Sequence, residues 1–383
     1  MLNIDVIYIL ANALLLISFI ITGRNAHNET NYKRFAIISI IIYTFVLGLR
    51  YERGNDYIHY ANMYQYGFSQ GEQKAFVLLN DVLHYLGVGK YYIFVIYSFI
   101  EILCSFIFLS RYKLFGVYIV PFFMISTILF NEYAIRQALG FSFAFLYFDC
   151  LFEINKSKIP VREIATSLRK IIQALLFLLL SYSIHTACGY LLVTVTIMYF
   201  IYKKPIPLYF SIPLFFFTTF FFKSISDISW IRPLLSLLEG DDRMSLYIND
   251  ETRFETNDSD IKIYTRNSIV LLFEMIGTIS LYYFGFKAIR NWYHKQEYYF
   301  LYNLFVIGTL LLNAFRTYEM LQRIGQNLYL FWFFPLSIVL YHHKEIVRSS
   351  SERILFCFLT WWGYDYMKYL FYRGEMTKFI WDI

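Results

Sequence analysis

Long apolar runs are the feature that most limits what this chain can fold into. A helix needs about 20 mostly apolar residues to cross a bilayer, and several runs approach that length, beginning with residues 4–21. Hydrophobic residues make up 58% of the 383 and charged residues only 16%, whereas soluble domains average about 25% charged residues. Because the runs are apolar on every face instead of alternating, they predict an all-α polytopic integral membrane protein and not a β-barrel.

The predicted protein has about 11–12 transmembrane helices, some of them broken or re-entrant. The predicted spans are 4–21, 35–49, 91–109, 114–130, 134–152, 171–184, 186–201, 207–222, 267–286, 298–313, 324–341 and 354–372. Lys and Arg are concentrated in the connecting segments 22–34, 110–113, 153–170 and 287–297 and in the stretch after 341. Because cytoplasmic loops are enriched in these residues, we place these segments in the cytoplasm and residue 4 on the outer side.

Residues 171–201 form 31 nearly unbroken apolar positions. A single helix here would put Lys203 and Lys204 outside and invert every later loop, so that the basic segment 287–297 would face the wrong side. Two short crossings with a break at "YSIHTACGY" keep the later basic segments on the cytoplasmic side. His185 lies at this break, and irregular backbone at membrane depth is tolerated only beside protein or water. We therefore expect His185 near a hydrated cavity.

The stretch 114–152 is also predicted to form two short crossings, joined by a turn close to the outer leaflet. Its polar residues lie between the crossings or just inside them: Asn131, Glu132, Arg136 and Gln137. A run of charged and amide side chains at that depth indicates a hairpin and not one continuous span.

Two longer segments are predicted outer loops of a single membrane domain, 1–383. Residues 50–90 contain an amphipathic helix, which we expect to lie on the outer surface. Its apolar face is predicted to be Phe76, Leu79, Val82, Leu83 and Leu86. Residues 223–266 are acidic and poor in aliphatic side chains, and we expect them to be flexible.

The spacing of cysteine and histidine gives no sign of a metal site. The four cysteines are widely spaced, and the chain contains no Cys-x-x-Cys and no His-Glu-x-x-His. We therefore predict no disulfide and no bound metal. The net charge of +6 is accounted for by basic cytoplasmic loops, so we expect no nucleic-acid partner.

Five arginines fall at the outer ends of predicted spans, where membrane proteins carry few of them. They are Arg50, Arg53, Arg136, Arg316 and Arg323. A lone arginine at a helix end commonly extends its charge into water, and that interpretation is open for each. The guanidinium, however, has a planar fork of donors that suits phosphate oxygens, and it keeps its charge when partly desolvated. The cluster therefore predicts a site for a dianion, with a lipid-linked pyrophosphate as the candidate.

Acidic residues accompany these arginines: Asp56, Glu132 and Glu319. The simpler interpretation is that each carboxylate neutralises a neighbouring arginine. The functional interpretation is that one of them, or His185, takes a proton from an incoming sugar hydroxyl, since a general base needs only hydrogen-bond reach and a suitable pKa. The Gly54–Asn55 pair predicts a tight turn just after Arg53.

Four stretches of the chain carry a further signal: "LRYERGNDYIHYANMY", "NEYAIRQALGFSFAF", "SYSIHTACGYLLV" and "RTYEMLQRIGQNLYLFW". Together they resemble the EpsG-like proteins, a group within the Wzy-type O-antigen and exopolysaccharide polymerases. The first resembles that family's arginine and glycine-x-aspartate-tyrosine at the start of the first large outer loop. The others are similar to its arginine-glutamine in a hairpin turn, its histidine near a helix break and its late arginine segment.

The resemblance implies a glycosyltransferase with a GT-C-like membrane fold, in a bacterial inner (cytoplasmic) membrane with its active site facing the periplasm. The implied activity is that of an O-antigen or exopolysaccharide polymerase. Such an enzyme joins oligosaccharide repeat units linked to undecaprenyl pyrophosphate and releases undecaprenyl pyrophosphate, without nucleotide, metal or other cofactor. The implied partners are the lipid-linked oligosaccharide, membrane lipid and a chain-length-determining co-polymerase.

The resemblance also implies roles for the charged residues. Those that bind pyrophosphate would be Arg50, Arg53, Arg136, Gln137, Arg316 and Arg323. The competing candidates for the general base are Asp56, His185 and Glu319. The arginines would stabilise the negative charge that develops on the leaving group, and loop 223–266 would cover the site or hold the glycan.

Other membrane functions fit some of the same features. A flippase or other transporter of the lipid-linked unit would also need outward cations and broken helices, although polar residues clustered at the outer side favour binding or chemistry there. An O-antigen ligase shares the general architecture, and these motifs do not separate it from a polymerase. A membrane acyltransferase would need a histidine beside an acid, and no convincing pair is present.

Overall fold

The computed structural model describes residues 4–54, 56–68, 73–156, 164–220, 268–315, 319–346, 363 and 378–382. Nearly all of these residues are helical, which confirms an all-α polytopic membrane protein. Within these ranges, the segments long and apolar enough to cross a membrane are Val6–Arg24, Ile93–Tyr133, Ile135–Ile154 and Gln322–Tyr341. Thr186–Ile201 and Leu208–Phe220 are shorter apolar helices. The total of about 11–12 crossings stays a prediction, and only residue 363 of the predicted span 354–372 is described.

The chain divides into two compact units, residues 1–197 with 359–383 and residues 198–358. The helices of the first unit are α1 (Ile4–Arg24), α2 (Glu29–Gly48), α3 (Tyr57–Tyr66), α4 (Lys74–Tyr85), α5 (Ile93–Leu109), α6 (Gly116–Tyr133), α7 (Ile135–Lys156), α8 (Ile164–Ile184) and most of α9 (Thr186–Ile201). A 3-10 helix, Ser110–Phe115, joins α5 to α6. Two short strands, β1 (Arg50–Tyr51) and β2 (Lys378–Phe379), pair antiparallel with Arg50 opposite Phe379.

The second unit begins with the end of α9 and is also helical. Its other helices are α10 (Leu208–Phe220), α11 (Ser268–Trp292), α12 (Gln296–Ala314), α13 (Glu319–Tyr329), α14 (Phe333–Tyr341) and α15 (His343–Ile346). A 3-10 turn, Leu330–Trp332, joins α13 to α14. Buried aromatic side chains dominate its core, and they include Tyr282, Tyr302 and Phe331.

Two helix breaks predicted from the sequence are present in the first unit. α8 ends at Ile184 and α9 begins at Thr186, so His185 lies between them. α6 ends at Tyr133 and α7 begins at Ile135, with Ala134 between them at φ −109° and ψ 51°. The predicted hairpin in 114–152 is therefore confirmed.

Small residues allow α1 to approach α6 closely. A Cβ atom on Gly23 would lie 2.4 Å from Gly116 O, and one on Gly116 would lie 2.1 Å from Ala26 Cβ. Lipid provides no hydrophobic force between membrane helices, so close van der Waals packing has to hold them together. This contact fixes α1 against the hairpin that carries Glu132 and Arg136.

Helices α3 and α4 pack together as an α3–α4 cap over the ends of longer helices. The cap buries Tyr57, Tyr60 and Phe76 in one apolar cluster with Phe94 of α5 and Leu139 of α7. Because the cluster joins α5 and α7 to the cap, it holds the segment that follows α2 close to the α6–α7 turn.

The apolar residues of α4 do not all face the protein interior. Phe76 and Leu83 are buried, but Val82 is 48% exposed and Leu86 is 67% exposed. The buried face instead includes Asn80, whose Oδ1 accepts a 2.5 Å hydrogen bond from the Tyr97 hydroxyl. A buried polar side chain with a partner costs little free energy, so α4 turns Asn80 inward. The location of this helix on a membrane surface stays a prediction, and loop 223–266 lies outside the described residues.

Candidate functional site

Arg50 lies just after α2, in strand β1, and is only 2% exposed. Its guanidinium nitrogens donate to four main-chain carbonyl oxygens, those of Leu47, Arg53, Asn131 and Glu132. The last three donor–acceptor distances are 3.4, 3.5 and 3.4 Å. Buried arginine is tolerated only when its donors are satisfied. Arg50 therefore ties the segment after α2 to the end of α6.

Arg53 forms a buried ion pair with Glu132. Its Nε lies 2.6 Å from Glu132 Oε2, and each side chain is 2% exposed. The guanidinium carbon also lies 4.4 Å from the ring centroid of Tyr8 in α1, a cation–π distance. The prediction matched Glu132 with Arg136, its neighbour in the chain, whereas this ion pair joins Glu132 to Arg53, 79 positions away.

Gly54 is required by the backbone at this point. Its φ is +100°, and a Cβ atom there would lie 2.1 Å from Glu132 O. Only glycine adopts this conformation without strain and leaves room for the carbonyl. The turn predicted at Gly54 is confirmed, whereas Asn55 lies outside the described residues.

Arg136 and Gln137 occupy the first turn of α7 and are 8% and 4% exposed. The Arg136 guanidinium carbon lies 5.9 Å from the Tyr60 ring centroid and 5.7 Å from that of Phe76. The first amide groups of a helix lack intrahelical acceptors, and the helix dipole makes that end positive. The start of α7 therefore adds partial positive charge to that of Arg136.

His185 lies beside the second turn of α7. A Cβ atom on Gly140 would be 3.0 Å from His185 Cβ, and Cys188 Sγ donates to Gln137 O at 3.6 Å. The Cys188 sulfur is also 3.7 Å from His185 Nδ1. The break between α8 and α9 thus brings His185 within about one helical turn of Arg136 along α7.

Asp56 directly precedes α3 and is half-buried. Its carboxylate does not cap that helix. Next to it, the Tyr57 ring stacks on Phe94 with centroids 4.0 Å apart, and the Arg50 guanidinium carbon lies 5.7 Å from the Tyr57 centroid. The structure therefore places Asp56 immediately beside the segment that carries Arg50 and Arg53.

Tyrosine hydroxyls near this segment stay protonated at neutral pH. Partial burial, together with a hydrogen bond to Tyr91, raises the pKa of Tyr51 to about 12. Burial also raises the pKa of Tyr57, although Arg50 opposes the shift. The ring of a tyrosine can pack against a sugar face, and its neutral hydroxyl can form hydrogen bonds with sugar hydroxyls.

The remaining predicted site residues belong to the second unit. Arg316 lies outside the described residues, and Glu319 begins α13 with a side chain that is not described. Arg323 lies one turn further along α13 and is half-buried. Within the first unit, Arg50 and Arg53 contact Glu132 at the α6–α7 turn, His185 lies beside the part of α7 that follows Arg136 and Gln137, and Asp56 is three residues after Arg53.

Sequence reasoning missed several residues that surround the arginines. Tyr8 and Phe379 lie at opposite ends of the chain, and their ring centroids are 6.2 Å apart. Glu52, next to Arg53, has φ 53°, a region that non-glycine residues rarely occupy. The adjacency of Glu52 to two arginines could have suggested it, but no local pattern links Tyr8 to Phe379. In the part of the chain that the structure describes, no group of three His, Cys, Asp or Glu side chains could hold a metal ion.

The chain matches the family model described as "EpsG family" over residues 33–381. The matched range contains every predicted site residue. No curated protein and no solved structure matches the chain.

Proposed function

The chain belongs to the EpsG family, and from that premise we propose that it is a polysaccharide polymerase acting on lipid-linked oligosaccharides. Its donor and acceptor are repeat units carried on undecaprenyl pyrophosphate, and the product is a longer lipid-linked glycan. The reaction takes place at the periplasmic face of a bacterial inner membrane. A co-polymerase that sets chain length is the proposed protein partner.

The observation that carries this proposal is the convergence of three buried arginines on one turn. Arg50 and Arg53 follow α2, whereas the α6–α7 turn that contacts them carries Arg136 and lies about 80 residues further along the chain. Glu132 offsets the charge of Arg53, and the buried positive charge that Arg50 and Arg136 add is costly, so the cluster supports binding of an anion with several oxygens. A pyrophosphate leaving group supplies such oxygens.

In the proposed reaction, a hydroxyl of the acceptor sugar attacks the anomeric carbon of the donor glycan. A new carbon–oxygen bond forms while the bond from the anomeric carbon to the pyrophosphate oxygen breaks. The electron pair of the broken bond goes to that oxygen, and the hydroxyl proton goes to a general base. The arginines stabilise the negative charge that develops on the pyrophosphate.

The contacts support different roles for the three arginines. Arg136, with Gln137 at the start of α7, is the proposed direct ligand of the pyrophosphate. Arg53 is proposed to bind it from the opposite side of the turn while Glu132 fixes its guanidinium. Arg50 donates to carbonyl oxygens, so its proposed role is to hold the turn in place. Arg316 and Arg323 stay candidate ligands.

We favour His185 as the general base because it lies beside α7 close to Arg136. Asp56 and Glu319 are the alternatives. His185→Ala is expected to remove turnover while leaving the affinity for the lipid-linked donor nearly unchanged. If Asp56→Asn has that effect instead, the base is Asp56.

A product assay tests the function itself. The purified protein in nanodiscs is incubated with the lipid-linked repeat unit and no nucleotide sugar, and the products are separated on a gel. We expect a ladder of multiples of the repeat unit. No ladder from a verified native substrate and folded protein would overturn the proposal. Lipid A-core is then added as acceptor, and a single addition to it would establish a ligase.

Arg136→Ala tests the role of the arginine cluster. We expect it to abolish long chains at an unchanged protein level, since loss of a charged group that stabilises the leaving group costs about 100-fold or more in rate. Arg290→Ala is the matched control, because Arg290 is an exposed arginine in the last turn of α11. Wild-type chain lengths in Arg136→Ala would refute the assignment.

A further inference from the structure

Residues 378–382 pack against the segment that carries the arginines. Strand β2 pairs with β1 so that Arg50 is opposite Phe379 and Tyr51 is opposite Lys378. Ile380 N donates a 2.9 Å hydrogen bond to Leu49 O, which extends the pairing by one residue. The last described residues of the chain therefore lie directly beside Arg50.

The same segment reaches Arg53 through a second contact. Phe379 is only 2% exposed, and its ring centroid lies 6.2 Å from that of Tyr8. Tyr8 in turn contacts Arg53, whose guanidinium carbon lies 4.4 Å from the Tyr8 ring centroid. Phe379 supports Tyr8, and Tyr8 supports the guanidinium that is paired with Glu132. Because both ring contacts are close, removal of the Phe379 ring would leave a void behind Tyr8.

We propose that residues 378–382 are a structural part of the arginine site, that Phe379 is a positioning residue for Arg53, and that the segment lies on the outer side of the membrane. The positioning role rests on the proposed function, whereas the pairing and the membrane side do not. No contact of Phe379 with the substrate is needed for this role.

The membrane side follows from the connectivity of the first unit together with the predicted placement of the basic segment 22–34 in the cytoplasm. α1 and α2 are consecutive predicted spans, so the end of α2 is on the same side as the start of α1. β2 pairs with the residues that directly follow α2, and residues 378–382 therefore lie on that side as well. An even number of crossings then separates residue 4 from residue 378. The sequence predicts about 11 or 12 transmembrane helices, and of these two numbers only 12 is even.

A disulfide tests the pairing and the side together. Paired residues in an antiparallel ladder have Cα atoms about 4.5–5.5 Å apart, within the range that a disulfide spans. In the full chain, Tyr51→Cys with Lys378→Cys is expected to form a disulfide in cells without added oxidant, since the periplasm is oxidising and the cytoplasm is not. Mass spectrometry of an unreduced digest identifies the linked peptides. Tyr51→Cys with Trp381→Cys, which is out of register, is the control, and free thiols at 51 and 378 even after mild oxidation of the purified protein would overturn the proposal.

A coupling experiment tests the positioning role. Phe379→Ala is expected to lower turnover about ten-fold at equal amounts of folded protein, because small displacements of a positioning group cost about 10–100-fold. In an Arg53→Lys background the same change is expected to cost less than about two-fold, since residues that act through one another are not additive. Phe379→Leu should restore most of the turnover.

The result separates this inference from the proposed function. Equal losses in both backgrounds would show general destabilisation and would overturn the positioning role, even if the wild type makes a ladder. If Arg53→Lys is too slow to measure, affinity for inorganic pyrophosphate supplies the same coupling by calorimetry. Absence of a ladder from the wild type would overturn the proposed function, and the disulfide result would still decide the pairing.

Discussion

The buried pair of Arg53 and Glu132 gives a prediction with a definite magnitude. Their Nε and Oε2 atoms are 2.6 Å apart, and each side chain is 2% exposed. Glu132→Gln keeps the shape of the side chain and one acceptor oxygen but removes its ability to carry negative charge. The guanidinium of Arg53 is then left buried opposite a neutral amide.

Breaking a buried ion pair on one side costs about 3–5 kcal/mol, because the remaining charge stays out of water without compensation. The amide oxygen of glutamine still accepts a hydrogen bond from Arg53, so we expect a loss near the lower end, about 3 kcal/mol. A loss of that size is a large fraction of the stability of a typical folded domain. Removal of both partners, in Arg53→Met with Glu132→Gln, should cost less than removal of the carboxylate alone.

The purified protein in detergent is unfolded with increasing mole fractions of SDS, and the fraction of protein that stays folded is measured at each step. Glu29→Gln is the matched control. Glu29 pairs with Lys33 at 3.1 Å and also with Lys113, but its side chain is 57% exposed. Since exposed pairs are screened by water and contribute little, this variant should unfold close to the wild type.

An unfolding midpoint for Glu132→Gln that equals that of Glu29→Gln would refute the reasoning. It would mean that the charge of Glu132 is not what compensates Arg53. A double variant less stable than Glu132→Gln would refute it as well, because the cost would then come from lost packing and not from an uncompensated charge.

Two further predictions concern a turn and a histidine. Gly54→Ala should destabilise the protein much more than Gly67→Ala in the same unfolding assay. Both glycines have positive φ, but only at position 54 would the new Cβ collide with the backbone, at Glu132 O. Equal losses of stability would show that the cost comes from the positive φ and not from the collision. Burial lowers the pKa of His342 from its ordinary 6.5, against a smaller opposing effect of Glu345, so the folded state binds a proton less readily than the unfolded state. Stability present above about pH 6.5 should fall as the pH drops below that value and through the folded pKa, and His342→Gln should lose this dependence.

Helix positions were predictable because their signals are local. The predicted span 186–201 coincides with α9, Thr186–Ile201, since an apolar run and the sign of the next charged loop fix both of its ends. The break at His185 followed from the same rule about charge. The burial of Asn80 in α4 was not predictable, because it depends on a hydrogen bond from Tyr97, and no pattern within α4 indicates that partner.

The sequence singled out the buried arginines of the first unit, but it did not predict their contacts. Arg50 and Arg136 drew attention because both are predicted to lie on the outer side, whereas positive charges usually collect in the cytoplasm. Which arginine contacts carbonyl groups and which contacts a carboxylate depends on a turn about 80 residues away. The support of Arg53 by residues near both ends of the chain, Tyr8 and Phe379, is further still from any local signal.

The contacts of Arg50 give it a distinct electrostatic effect. A carboxylate would cancel its charge, as Glu132 does for Arg53, but carbonyl oxygens carry only partial negative charge. Four carbonyl groups therefore satisfy the hydrogen-bond donors of Arg50 and still leave it a net positive charge in a buried region. Electrostatic interactions are stronger there than in water, and a fixed charge needs no reorganisation when an anion forms nearby. Under the proposed function, Arg50 would thus favour negative charge on a leaving group that it does not touch, while its hydrogen bonds hold the α6–α7 turn.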